Sequence, residues 1–173
     1  SDESKPTVLN TNNILTNNTF TVWDSPTSYG DDPTNWVLTN SDAANFITDI
    51  TPGIRITFTD AVDFHLSQTN VTTVGNIYQA KMTIAAISGE DSKMKFSSGD
   101  VTLLNATTAL AGPGIGYHVC YFRANSTTLF ISNAGEDGVA DISSVALFSL
   151  SGNPGAGYGG LTNTVTSFEG DTP

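Results

Sequence analysis

The sequence predicts an all-β protein, an antiparallel β-sandwich of jelly-roll topology, and three observations carry that prediction. β-Branched Thr, Val and Ile dominate, while sustained runs of Ala, Leu, Glu and Lys are scarce, so helix propensity is low and strand propensity high. Apolar and polar residues alternate through several short segments, the period of a half-buried strand. Gly, Pro, Asn and Asp clusters separate those segments at short spacing.

Alternation is plainest at residues 54–58, 62–66 and 78–87, where Tyr78, Ala80, Met82, Ile84 and Ala86 are expected on one face. Shorter strands are expected at 20–23, 36–38, 94–96, 101–104, 117–123, 129–132 and 142–150, which makes ten in all. Residues 88–92 and 133–138 combine Gly, Asp, Glu and Ser between such runs and are expected to be hairpin loops. Beyond Leu150 the chain turns Gly-rich and then polar, so the division is an N-terminal arm at 1–12, a sandwich domain at 13–150 and a C-terminal arm at 151–173.

At 173 residues the length suits one domain. Six Lys and Arg against 17 Asp and Glu leave a net charge of −11, the wrong sign for neutralising phosphates, so nucleic acid and anionic membranes are excluded as expected partners. No apolar stretch approaches the roughly 20 residues of a membrane-spanning helix. The first six residues carry neither a basic nor an apolar signal region, and no secretory signal is expected in this form. Charged residues make up only 13% of the chain and Ser plus Thr about a quarter, which describes a neutral, hydroxyl-rich surface. Cys120 is the single cysteine, so the chain has no internal disulfide and no four-cysteine zinc site.

Catalytic patterns are missing. Asp63 and His65, and likewise His118 and Cys120, would share a strand face, but two residues apart on one strand the side chains stand parallel and about 7 Å apart, too far for a nucleophile and its base. Acids fall in adjacent loop pairs, Asp31 with Asp32, Glu90 with Asp91 and Glu136 with Asp137, which reads as solvated turns. No nucleophile elbow, zinc-protease helix, phosphate loop or helical calcium loop is present. Neither a cofactor nor a metal is expected.

Aromatic residues are more informative, because flat rings stack on sugars while Asn, Thr and Asp bond their hydroxyls. Trp23, Tyr29 and Trp36 fall in one loop-flanked stretch and are the candidate sugar-stacking residues. The alternative for Trp23 and Trp36 is a place in the core, since Trp is highly buried on average. Tyr29, between Pro26 and Pro33, is the ring expected in solvent. In the C-terminal arm, Leu161, Val165 and Phe168 are candidate anchors of an extended arm, either on a neighbouring subunit or on the arm's own domain.

The order Asn18-Thr19-Phe20, Trp23, Pro33-x-x-Trp36, Gly53-Ile54-Arg55-Ile56, Gln68, the Tyr78 strand, Gly116-Tyr117-His118-Val119 and Ala140-Asp141-Ile142 resembles the jelly rolls of xylan- and glucan-binding carbohydrate-binding modules. Similar modules occur on polysaccharide-degrading enzymes and in bacteriophage tail and capsid-decoration proteins. The resemblance implies a calcium ligand at Asp141, but Thr21 and Val22 stand where the partnering acid belongs. It implies a non-catalytic protein on a virion surface that assembles with virion subunits or copies of itself and adheres to host glycans. The alternative is an extracellular polysaccharide-binding module of a secreted enzyme.

Overall fold

A computed structural model of the chain describes residues 12–59, 63–88, 93–99, 101–107, 115–133, 137–150 and 166–169. Eleven strands form two sheets, and among the described residues there is no helix. The strands are β1 (Val37–Thr39), β2 (Phe46–Asp49), β3 (Ile54–Phe58), β4 (His65–Gln68), β5 (Ile77–Ser88), β6 (Lys93–Ser98), β7 (Val101–Thr107), β8 (Gly116–Arg123), β9 (Leu129–Asn133), β10 (Gly138–Ser149) and β11 (Thr166–Glu169). One sheet has the order β1-β4-β9-β6-β7 and the other β11-β8-β5-β10-β3-β2. Every ladder is antiparallel, as expected of a jelly-roll sandwich.

The period of two puts alternate residues of each strand into one core. From the six-stranded sheet it takes Ile54, Ile56 and Phe58 of β3, Tyr78, Ala80, Met82 and Ile84 of β5, Cys120 and Phe122 of β8, and Ala140, Ile142, Val145 and Leu147 of β10. The facing sheet supplies Leu66, Leu103, Leu129 and Ile131. Ala86 departs from the expected face and is exposed, while Ile87 packs on the core. The register between β5 and β10 runs from Ala86 opposite Asp141 to Ile84 opposite Ile142, so Ala85 is unmatched and the inward parity slips by one residue.

Both expected hairpin loops are crossings between sheets. β5 belongs to the six-stranded sheet and β6 to the other, and β9 and β10 are divided in the same way. Gly, Asp and Ser mark where a chain can reverse, but whether the flanking runs pair depends on packing far away in sequence. The tight hairpin is instead β6–β7, where Ser98 opposes Val101. Residues 20–23 form no strand. Phe20 adopts a left-handed φ of 52°, and the Asn17 side chain accepts from the backbone N–H of Thr21 at 3.0 Å and of Val22 at 3.2 Å. Those donors are lost to any ladder, and only an isolated bridge from Trp23 to Pro33 remains.

β3 pairs with β10 only from Gly138 to Ile142, which leaves the later part of that edge open. Residues 13–18 fill it. Ile14 donates to the Leu147 carbonyl at 2.8 Å, the Asn13 side-chain oxygen accepts from Leu147 N–H at 2.9 Å, and Val145 N–H donates to the Asn18 carbonyl at 2.9 Å. Burial of these backbone groups requires such partners.

Candidate functional site

The three sequence-chosen rings do not form one platform. Trp36 is 4% exposed, its ring centroid lies 5.4 Å from that of Phe20, and its indole N–H donates to the Asn17 carbonyl at 3.3 Å. It is a core anchor, which corrects its candidacy as a stacking ring, because no ring face is left for a sugar. Trp23 is half-buried against the core, and its indole N–H reaches the Phe20 carbonyl and Thr51 Oγ1 at 3.1 and 3.0 Å. Tyr29 is 47% exposed, at the tip of an excursion that docks along the β2 edge through Gly30 and Ile47. Of the arm candidates, Leu161 and Val165 lie outside the described residues, while Phe168 is in β11, as the register partner of Val119 in β8.

The pairs suspected of chemistry are structural. Asp63 lies before β4, so the expected strand spacing of about 7 Å does not hold for this pair: His65 Nδ1 lies 3.3 Å from Asp63 Oδ1, with the imidazole edge-on to Phe130 at 5.1 Å. Cys120 is buried among apolar side chains, and burial pushes its thiol up to about 12, so it is a protonated hydrophobe at neutral pH. Asp141 gives both carboxylate oxygens to Arg55, Oδ1 to Nε at 2.8 Å and Oδ2 to Nη2 at 2.9 Å. A cation at Asp141 would have to displace that guanidinium, so the geometry does not fit the implied calcium ligand. Among the described residues no three His, Cys, Asp or Glu side chains come together to hold a metal ion.

A different cluster emerges on the outer face of the six-stranded sheet, the side away from the sandwich core. Where β5 sends Tyr78, Ala80 and Met82 inward, Gln79 and Lys81 point outward, and β8 turns Tyr117, Val119 and Tyr121 to the same side. β10 adds Phe148, the register partner of Gln79. The Lys81 ammonium lies 5.6 Å from the Tyr117 ring centroid and 5.3 Å from that of Phe148, within the range of cation–π attraction. Tyr117 and Phe148 reach it diagonally from the two neighbouring strands, a separation long side chains span readily. Gln79 Nε2 donates to the Tyr121 hydroxyl at 2.8 Å. Ile77, Val119, Tyr121 and Leu150 pack as a small second apolar cluster at one end of this face, with Tyr117 against it.

Lys81, Tyr117 and Phe148 are each half-buried, so the middle of the face is firm yet reachable. Two half-buried rings and an ammonium on adjoining strands can stack on a sugar ring and bond its substituents, above a buried Gln79–Tyr121 hydrogen bond. Sequence reasoning overlooked these residues because it followed the inward face. One signal was available, since residues 119–122 are apolar or aromatic on both faces of the strand.

No protein-family model matches the sequence, and no curated protein does. Solved structures similar to the chain include the family 61 carbohydrate-binding module TmCBM61 in complex with beta-1,4-galactotriose, at 17% identity over 80% of this chain and 99% of that one, with a TM-score of 0.46. A family 4 carbohydrate-binding module is similar at 13% identity over 78% and 99% of the two chains, TM-score 0.44. A family 29 module is similar at 9% identity over 74% and 86%, TM-score 0.42. At such scores any functional statement rests on the site itself.

Proposed function

We propose that this chain is a non-catalytic glycan-binding β-sandwich whose ligand lies on the outer face of the six-stranded sheet. The observation that carries the reading is the placement of Tyr117 and Phe148 on either side of Lys81, on a face held by the β8–β5–β10 ladders. A rigid sheet fixes the ring spacing before the ligand arrives, which lowers the ordering cost of binding. The low charge density and abundance of hydroxyl side chains suit a polyol ligand. The setting of such a domain is a virion surface or, equally consistent with the fold, an extracellular module of a polysaccharide-degrading enzyme.

The test is calorimetric titration against a panel of neutral and acidic polysaccharides, with Tyr117→Ala, Phe148→Ala and Tyr29→Ala variants. Removing either face ring should weaken binding about tenfold, in line with the worth of a buried aromatic contact, while Tyr29→Ala leaves it unchanged. Binding to no member of the panel, or loss confined to Tyr29→Ala, overturns the assignment.

A second reading is assembly of copies through the C-terminal arm on a virion surface, in which a pairing made within one chain is exchanged between copies. Residues 166–169 pair with the edge of β8 through four register partners. An edge that accepts a strand from its own chain after a long connection is able to accept the same strand from a neighbouring copy.

A further inference from the structure

Charge is distributed unevenly over this acidic chain. β3, β5, β8 and β10 contain three cations, Arg55, Lys81 and Arg123, and a single acid, Asp141. All three cations are on the outer face: Arg55 and Arg123 alternate with the inward residues Ile54, Ile56 and Phe122, and Lys81 with Ala80 and Met82. Asp141 is neutralised by Arg55. Arg123 donates to the Gly75 carbonyl at 2.6 Å, a neutral acceptor. Lys81 has two ring faces and no carboxylate within ion-pair distance among the described residues. Ring faces attract an ammonium without cancelling its charge, so Lys81 keeps a counter-ion position open at the centre of the face.

The acids around β2 do not screen that position. Asp24, Asp31, Asp32, Asp42 and Asp49 lie in or beside the loops that flank β2, at the far side of the sheet. β5 and β2 are separated by β10 and β3, three strand spacings or about 14 Å. That exceeds the Debye length of about 8 Å at physiological salt, so the acids around β2 are felt weakly at Lys81.

From this charge pattern, and resting on the glycan-binding reading above, we infer that the face takes an acidic glycan, a polymer of uronic acid units. One sugar stacks on Tyr117 or Phe148 and its carboxylate sits on Lys81.

The test uses the full chain in affinity electrophoresis and calorimetry against polygalacturonate and alginate, each paired with the same polymer after carboxyl reduction. Reduction keeps linkage and hydroxyls and removes only the charge. Binding to at least one acidic polymer should be tenfold or more tighter than to its reduced partner and should fall steeply between 50 and 500 mM salt, conditions set by the electrostatic argument. Lys81→Met keeps an unbranched apolar stem between the two rings and should bring the acidic polymer down to the level of the reduced one. Lys81→Arg should recover most of the difference, and thermal melts of both variants confirm that they fold. Equal binding to an acidic polymer and its reduced form, or no effect of Lys81→Met, overturns the acidic preference and leaves the glycan-binding reading standing. Binding to neither class overturns both.

Discussion

Arg55 and Asp141 are register partners on β3 and β10, and their side chains close a two-toothed ion pair, Nε to Oδ1 at 2.8 Å and Nη2 to Oδ2 at 2.9 Å. Each tooth is a charge-assisted hydrogen bond, and the planar fork fixes the carboxylate's orientation. The Arg55 side chain is 48% exposed, so solvent screens the attraction. A double-mutant cycle through Arg55→Ala and Asp141→Ala should return a coupling of about 0.5–1 kcal/mol, the range of well-formed surface pairs. Because both Asp141 oxygens are engaged, millimolar calcium should leave the melting temperature unchanged. A calcium-dependent rise of several degrees would falsify that assignment of Asp141.

Trp36 and Tyr29 should separate cleanly in stability measurements. Trp36 is buried against Phe20, and Trp36→Ala should cost about 3–5 kcal/mol in denaturant unfolding, the range for deleting a large core ring. Tyr29→Ala, at an exposed loop tip, should change stability by less than about 0.5 kcal/mol. Similar losses in the two variants would contradict the core placement of Trp36.

Gly30 should tolerate no side chain. Its φ is +92°, and a Cβ there would press into the carbonyl oxygen of Ile47, which itself accepts from Asp31 N–H at 2.8 Å. Gly30→Ala should therefore destabilise the protein by about 2 kcal/mol and loosen the 27–31 segment that covers the β2 edge. Proteolysis near Tyr29 is the second readout, and unchanged melting together with unchanged cleavage would refute the close approach.

Asp32 should make stability depend on pH in one direction. Burial, with the charge of Asp24 adding to it, raises its carboxyl above the usual carboxylate value, and Oδ1 has no hydrogen-bond partner. The folded state therefore binds this proton more tightly than the unfolded state, so ionisation as pH rises through the folded value removes stability. Asp32→Asn, permanently uncharged, should melt higher than the parent at pH 7, with the gap closing below about pH 4. A gap that stays constant from pH 4 to 7 would argue against desolvation of Asp32.

Ser167 faces Cys120 in the β11–β8 register, which offers a direct readout of the arm. Cross-strand partners have Cα separations of about 4.5–5.5 Å, within the disulfide range. Ser167→Cys, unfolded, refolded and oxidised with diamide, should close an intramolecular disulfide at low protein concentration, seen as loss of free thiols in a monomer. Strand exchange between copies requires instead a covalent dimer whose yield grows with concentration. No disulfide in either form would remove the pairing of β11 with β8.

The sequence by itself determined the class of structure and the places where strands form. Residues 54–58 are β3 to the residue, and the expected segments at 78–87, 117–123 and 129–132 lie within a residue of β5, β8 and β9, because period-two alternation is a local property read directly from side chains. β2 escaped notice because only four residues pair, after the Asx turn in which Asp42 Oδ1 accepts from the backbone N–H of Ala44 and Asn45. The expected strand at 20–23 failed because Asn17, a distant choice by strand standards, takes its donors.

Tertiary structure alone decided which sheet each strand joins, and hence that 88–92 and 133–138 are crossings, that Ala85 shifts the face of β5, and that Trp36 is core while Tyr29 is solvent. The cluster of Lys81, Tyr117 and Phe148 is of the same kind. Its members come from three strands up to 67 positions apart in sequence, brought together by ladder pairing. Alternation says that a strand has two faces, and only packing against a second sheet says which one is left for a ligand.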